Sequence, residues 1–218
     1  MCIQSLMEVV MKILFFGDSL TDMYRNFDTS VDMATSYGTG FVFDVAGQLM
    51  YERPGYYKIV NRGQGGSKVT DLFDRYEEQV IQEKPDILTI LIGVNDVWHE
   101  LITHSGTHID VFEKTYFALV NNIKKKLPNT KIIIMEPFFL YGDATKDIWE
   151  PFQEVLKYAA ISKKVAKKTN CIYIPLQQAF TDSIKNGGST QMLFDGLHTN
   201  PGGAHLIATK WLEVFRKL

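Results

Sequence analysis

Five short, near-continuous apolar runs recur along the chain, at 12–16, 57–61, 87–92, 131–136 and 171–174. Such near-continuous runs predict strands buried on both faces. Longer stretches follow them in which apolar positions return every three or four residues. Residues 40–51 carry Phe41, Val42, Val45 and Leu49, and residues 69–82 carry Leu72, Phe73, Tyr76, Val80 and Ile81. Residues 109–127 and 149–169 obey the same rule, and a last helix over 204–215 has Pro201 near its first turn. Strand alternating with helix five times predicts an α/β fold: a single three-layer α/β/α domain on a five-stranded parallel sheet, doubly wound by right-handed crossovers. No linker or internal repeat marks a second domain.

In such sheets ligands bind beyond the carboxyl ends of the strands, so the residues after each run matter most. Gly17-Asp18-Ser19 follows the first run, and Asn61-Arg62-Gly63-Gln64-Gly65-Gly66-Ser67 the second. Gly93-Val94-Asn95-Asp96 follows the third, and Asp195-Gly196-Leu197-His198 precedes the last helix. Together they offer a hydroxyl, backbone amides on glycine, a side-chain amide, a carboxylate and an imidazole, which is what acyl transfer needs. Each piece also has a plain structural reading. Ser19, Asp18 or Thr21 can cap a helix, the glycines can serve a turn, Asn95 can sit in a turn with Asp96 as a cap, and His198 can be a surface residue. Counting from Gly63, the sixth position is Lys68, so the dinucleotide-binding G-x-G-x-x-G pattern fails.

Composition narrows the classes. The chain has 218 residues, 45% of them hydrophobic, with a formal charge of −2 and the two signs interspersed, which argues against a nucleic-acid surface. The basic cluster Lys124–Lys126 suits the end of a helix. Two cysteines, Cys2 and Cys171, make no disulfide framework, and a reducing, cytoplasmic setting fits them. No apolar stretch approaches the ~18 residues of a membrane span. Residues 1–10 lack the basic start and small-residue cleavage site of a signal peptide. Met11 opens a stretch that resembles a natural start, so 1–10 are expected to be an extension of uncertain role, with the domain at 11–218.

The segments FGDSLTD, NRGQGGSKVTDL, IGVNDVW and DGLHTNPGGAHLIA resemble, in order, the four sequence blocks of the SGNH, or GDSL-type, hydrolases. The resemblance runs from Lys12 to about Ala208 and implies a flavodoxin-like SGNH hydrolase fold. It implies Ser19 as nucleophile, Asp195 and His198 as its triad partners, and an oxyanion hole formed by Ser19, Gly66 and Asn95. The family often has Ile-Ser between the two glycines of its second block; Gln64-Gly65 stands here, and the extra glycine is expected to loosen that loop. The absence of G-x-S-x-G sets the α/β-hydrolase nucleophile elbow aside.

Neither a cofactor nor a metal is implied. His99, His104 and His108 cluster, but His99 and His104 are five apart, whereas a zincin pair is four apart on one helix face. Residues 99–108 are expected to form a loop bordering the cleft, where Trp98 would line a substrate pocket or simply pack. Asp18, Trp98 and Phe194 are candidate substrate contacts, and Trp98, Phe138 and Phe194 would suit stacking on sugar rings or an acyl pocket. The segments GDSLTDMYR, YGTGFV, NDVWHE and MEPFFL are similar to a bacterial group of intracellular acetylxylan esterases. That similarity implies hydrolysis of O-acetyl esters on carbohydrate such as acetylated xylo-oligosaccharides, in a homo-oligomer. The alternatives are a broad short-chain carboxylesterase or lipase-like acylhydrolase or thioesterase, and, more remotely, a non-catalytic binding module.

Overall fold

Ile13, Leu14, Phe15 and Phe16 are completely buried, because the strand that carries them has a neighbour on each edge and helices on each face. The computed structural model describes residues 11–28, 30, 33–185 and 192–218; the extension 1–10, with Cys2, lies outside the described residues. The elements run β1 (Met11–Gly17), α1 (Ser19–Asp22), α2 (Phe41–Glu52), β2 (Tyr57–Gly63), α3 (Val69–Tyr76), β3 (Ile87–Leu91), α4 (Val94–Thr103) and α5 (Ile109–Lys126). They continue with β4 (Lys131–Met135), α6 (Trp149–Phe152), α7 (Val155–Lys168), β5 (Ile172–Ile174), α8 (Gln177–Lys185) and α9 (Pro201–Phe215).

The strands form one parallel sheet in the order β2-β1-β3-β4-β5, the flavodoxin-like arrangement. Successive side chains of β1 point to opposite faces. Ile13 and Phe15 join the layer of α2, α8 and α9, where Phe15 meets Phe41 at 5.5 Å and Trp211 at 5.3 Å between ring centroids. Leu14 and Phe16 join the layer of α3, α5 and α7. Trp211 is completely buried, and its indole N–H donates to Thr89 Oγ1 at 2.8 Å, so the large ring and the strand hydroxyl satisfy one another. β2 lies at an edge, and its burial alternates along the strand as an edge position allows.

Register brings the site together. Gly17 pairs with Gly63 on β2 and with Leu91 on β3. The segments that follow these three residues therefore leave the sheet at the same rim, at the point where the strand order reverses.

Two expectations are corrected and one element is new. Residues 99–103 belong to α4, which begins directly after Gly93, rather than to a loop; Val94, Val97, Trp98 and Leu101 carry the helical spacing. The helix expected over 149–169 is interrupted by tight turns in which Gln153 N donates to Glu150 O and Glu154 N to Pro151 O. The short helix α8 was not expected at all. Among the described residues no helix is long and apolar enough to cross a membrane.

Candidate active site

The end of β1 needs glycine at position 17. A Cβ there would lie 2.4 Å from both the Leu91 carbonyl and Thr21 Oγ1. Beyond it, the Asp18 carboxylate accepts the Leu20 amide at 3.0 Å, and the Asp18 carbonyl accepts the amides of Thr21 and Asp22. Asp18 is thus the helix cap, which leaves Ser19, the first residue of α1, free of that duty. Burial pushes the Asp18 carboxyl up to about 6, against the pull of the Leu20 amide and the nearby His198.

Ser19 Oγ lies 2.9 Å from His198 Nε2, and His198 Nδ1 lies 2.7 Å from Asp195 Oδ2. The three-residue spacing of Asp195 and His198 has a local cause. Asp195 Oδ1 accepts the amides of Leu197 (2.8 Å) and His198 (2.7 Å), so one carboxylate oxygen folds the loop while the other holds the imidazole. The loop is docked by the Ala144 amide on the Asp195 carbonyl and the Leu140 amide on the Gly196 carbonyl. Burial alone would raise the Asp195 carboxyl, but the His198 ring and the two loop amides outweigh it and hold it below the usual range. The same ring contact raises the His198 imidazole above its ordinary 6.5. With Nδ1–H donated to Asp195, Nε2 is left to accept from the Ser19 hydroxyl.

The glycine turn after β2 is held at several points. Gly65 N donates to Asp22 Oδ2 at 3.0 Å, His99 Nε2 lies 3.0 Å from the Gly66 carbonyl, and Asn95 Nδ2 donates to the Ser67 carbonyl at 3.1 Å. Gly66 needs glycine because its φ is +77°. Among the described residues the Gly66 and Ser19 amides have no protein acceptor, so both remain available to a ligand. At Gln64-Gly65, where the extra glycine stands, the Gly65 amide is the one that Asp22 holds. Asp96 is completely buried and accepts the Val69 amide at 3.2 Å, anchoring the start of α3; burial pushes its carboxyl up to about 7.

A cavity of about 190 Å³ opens above these groups, with Leu20, Val94, Trp98, Ala144 and Leu197 as apolar walls and Asp18, Ser19, Asn95, Asp195 and His198 as polar ones. Trp98 is half-buried, edge-on to Phe152. Phe194 is 51% exposed, and its ring stacks on the His198 imidazole at 5.6 Å. Phe138 is not at the site: it is completely buried, stacked on Phe180 at 4.1 Å. The three histidines have separate places, His99 on Gly66, His104 at the left-handed end of α4 and His108 capping α5. Asp22 and His99 as holders of the turn were not foreseen, since contacts across 43 and 33 residues carry no local pattern.

The profile of the GDSL-like lipase/acylhydrolase family matches residues 15–206. An acetylxylan esterase of Geobacillus stearothermophilus is 32% identical over 209 residues, which cover 93% of this chain and 92% of that one. Its solved structure superposes with a TM-score of 0.81 at 31% identity, covering 95% and 94% of the two chains. The solved forms of that enzyme include catalytic mutants in which a serine, an aspartate and a histidine are each replaced by alanine. A GDSL-like lipase candidate from Parabacteroides merdae superposes with a TM-score of 0.87 at 34% identity, covering 95% and 96%.

Proposed function

The chain belongs to the GDSL-like lipase/acylhydrolase family and is a carboxylic ester hydrolase, and from that premise we propose that Ser19, His198 and Asp195 form its catalytic triad, acting on short O-acyl, chiefly O-acetyl, esters of carbohydrate. The observation that carries this is the relay of 2.9 Å from Ser19 Oγ to His198 Nε2 and 2.7 Å from His198 Nδ1 to Asp195 Oδ2. A serine hydroxyl is a weak nucleophile until a neighbouring base takes its proton. His198 takes it as Oγ attacks the ester carbonyl. Asp195 fixes the ring's tautomer and balances the imidazolium. The carbonyl oxygen becomes an oxyanion that the Ser19 and Gly66 amides and Asn95 Nδ2 stabilise. Asn95 has a second N–H to offer, because its bond to Ser67 uses one. His198 then protonates the leaving alkoxide, and water attacks the acyl-enzyme by the same steps in reverse order.

The cavity size supports a short acyl group, since about 190 Å³ is well below the roughly 300–1,000 Å³ that encloses a drug-sized ligand. An exposed aromatic ring at Phe194 and the similarity to an acetylxylan esterase support a sugar as the alcohol part.

Acetate release from acetylated xylo-oligosaccharides, beside hydrolysis of p-nitrophenyl acetate and octanoate, tests the substrate class. Rapid deacetylation of the sugar and a rate on octanoate at least about tenfold below that on acetate are expected, as a pocket limited in length implies. Activity on the nitrophenyl esters alone would move the assignment to a short-chain carboxylesterase. Asn95→Ala is expected to lower kcat by roughly 10²–10³-fold with little change in KM, the usual loss for one oxyanion donor. Steady-state kinetics on p-nitrophenyl acetate checks it, and a loss confined to KM would remove Asn95 from that role.

A further inference from the structure

Arg75 lies on α3, half-buried and outside the cavity. Its guanidinium spans two segments that reach the site separately. Nη2 donates to the Gly17 carbonyl at 3.0 Å, Nη1 to Ser67 Oγ at 2.9 Å, and Nε to Gln79 Oε1 at 3.1 Å, with the Phe16 ring 5.1 Å away. We propose that Arg75 is a positioning residue that sets the oxyanion pocket by tying the end of the nucleophile strand to the glycine turn, an inference that rests on the serine-esterase function above.

The bonds trace how it acts. The Gly17 carbonyl lies one peptide before the one that supplies the Ser19 N–H, and it also takes the Gln64 amide at 3.1 Å. Ser67 Oγ donates to the Gln64 carbonyl at 2.6 Å, closing the turn around Gly66. The Ser67 carbonyl receives Asn95. Each of the three oxyanion donors is therefore adjacent to an atom that Arg75, or Ser67 under its hold, keeps in place. The planar fork is what allows one side chain to reach both segments at once; a lysine ammonium on a flexible stem has no such fixed pair of donors. Arg75 touches neither the cavity nor the reacting atoms. The start of α3 does not depend on it, because Asp96 holds the Val69 amide and Asp71 the Lys68 amide. A substituted protein is therefore expected to keep its fold.

The test compares wild type, Arg75→Ala, Arg75→Lys and Ser19→Ala on p-nitrophenyl acetate. It adds inhibition by phenylboronic acid, whose tetrahedral serine adduct needs the same donors. Arg75→Ala is expected to lose roughly 100-fold in kcat with KM within about twofold, as for a weakened oxyanion hole. The boronate constant should weaken in parallel. Guanidinium ion at tens of millimolar, an order-of-magnitude choice well below the molar denaturing range, should restore part of the lost kcat in Arg75→Ala and none in Ser19→Ala. Arg75→Lys should remain impaired. A kcat for Arg75→Ala within about threefold of wild type, less than any single donor is worth, overturns the inference. So does a lowered melting temperature with kcat and boronate affinity unchanged. If wild type itself has no Ser19-dependent activity on an ester, the proposed function falls and takes this inference with it.

Discussion

Ser19→Ala will leave a folded protein with its ester hydrolysis reduced by roughly 10⁴–10⁶-fold, the scale at which losing the nucleophile leaves only binding and oxyanion stabilisation. The fold should survive. Ser19 caps nothing, since Asp18 holds the Leu20 amide, and its hydroxyl has His198 as its partner. Turnover of p-nitrophenyl acetate and a thermal melt, measured on the same preparation, decide the matter. A folded variant with wild-type turnover would remove Ser19 from the chemistry.

Asp195→Asn has the second largest expected effect, about 10⁴-fold in kcat from misdirection of the imidazole. It also carries a sign. The Asp195 carboxylate raises the His198 imidazole above 6.5, and in the proposed mechanism only the unprotonated ring takes the serine proton. Activity is therefore lost as pH falls through that raised value. Without the carboxylate charge the value drops, so the acid limb of kcat/KM must move to lower pH even as the plateau falls. A limb that stayed in place would mean that another group sets it. Stability answers in the opposite sense. The raised imidazole value contributes stability that is complete below its unfolded value and lost as pH rises through the folded one. The depressed Asp195 value contributes stability above the ordinary carboxylate range, lost as pH falls through it. The pair thus holds the loop most firmly in mildly acidic solution, where the proposed base is protonated and idle.

The sheet was readable because its central strands are buried on both faces, so that their runs stand out as near-continuous apolar stretches. β2 was found despite its alternation. α4 was hidden by its own histidines, which draw attention to ligand spacing and away from Val94, Val97, Trp98 and Leu101. α8 offers only nine residues and one buried apolar side chain, Phe180, which is too short a window for a period to emerge. At the site, Ser19, Gly66 and Asn95 could be named because they follow the ends of strands, and Asp195 and His198 because their three-residue spacing before the last helix matches a family block. The side chains that hold them could not. Arg75 reaches Gly17 across 58 residues and Asp22 reaches Gly65 across 43, and such side chain to backbone contacts impose no period and need no motif. Phe138 shows the converse failure: an aromatic beyond β4 looks like a sugar platform until Phe180 covers it.

Ser19 and His198 stand 179 residues apart and meet through one hydrogen bond. On a ribosome adding about 5–20 residues per second, Ser19 emerges many seconds before His198, and under the proposed function an inert serine waits beside a partly built sheet. On the proposed mechanism, no nascent intermediate attacks an ester until the 195–198 loop has docked against the segment after β4. Recovery of turnover during refolding would therefore time the docking of the 195–198 loop onto Ser19, and not the earlier collapse of the strands around β1.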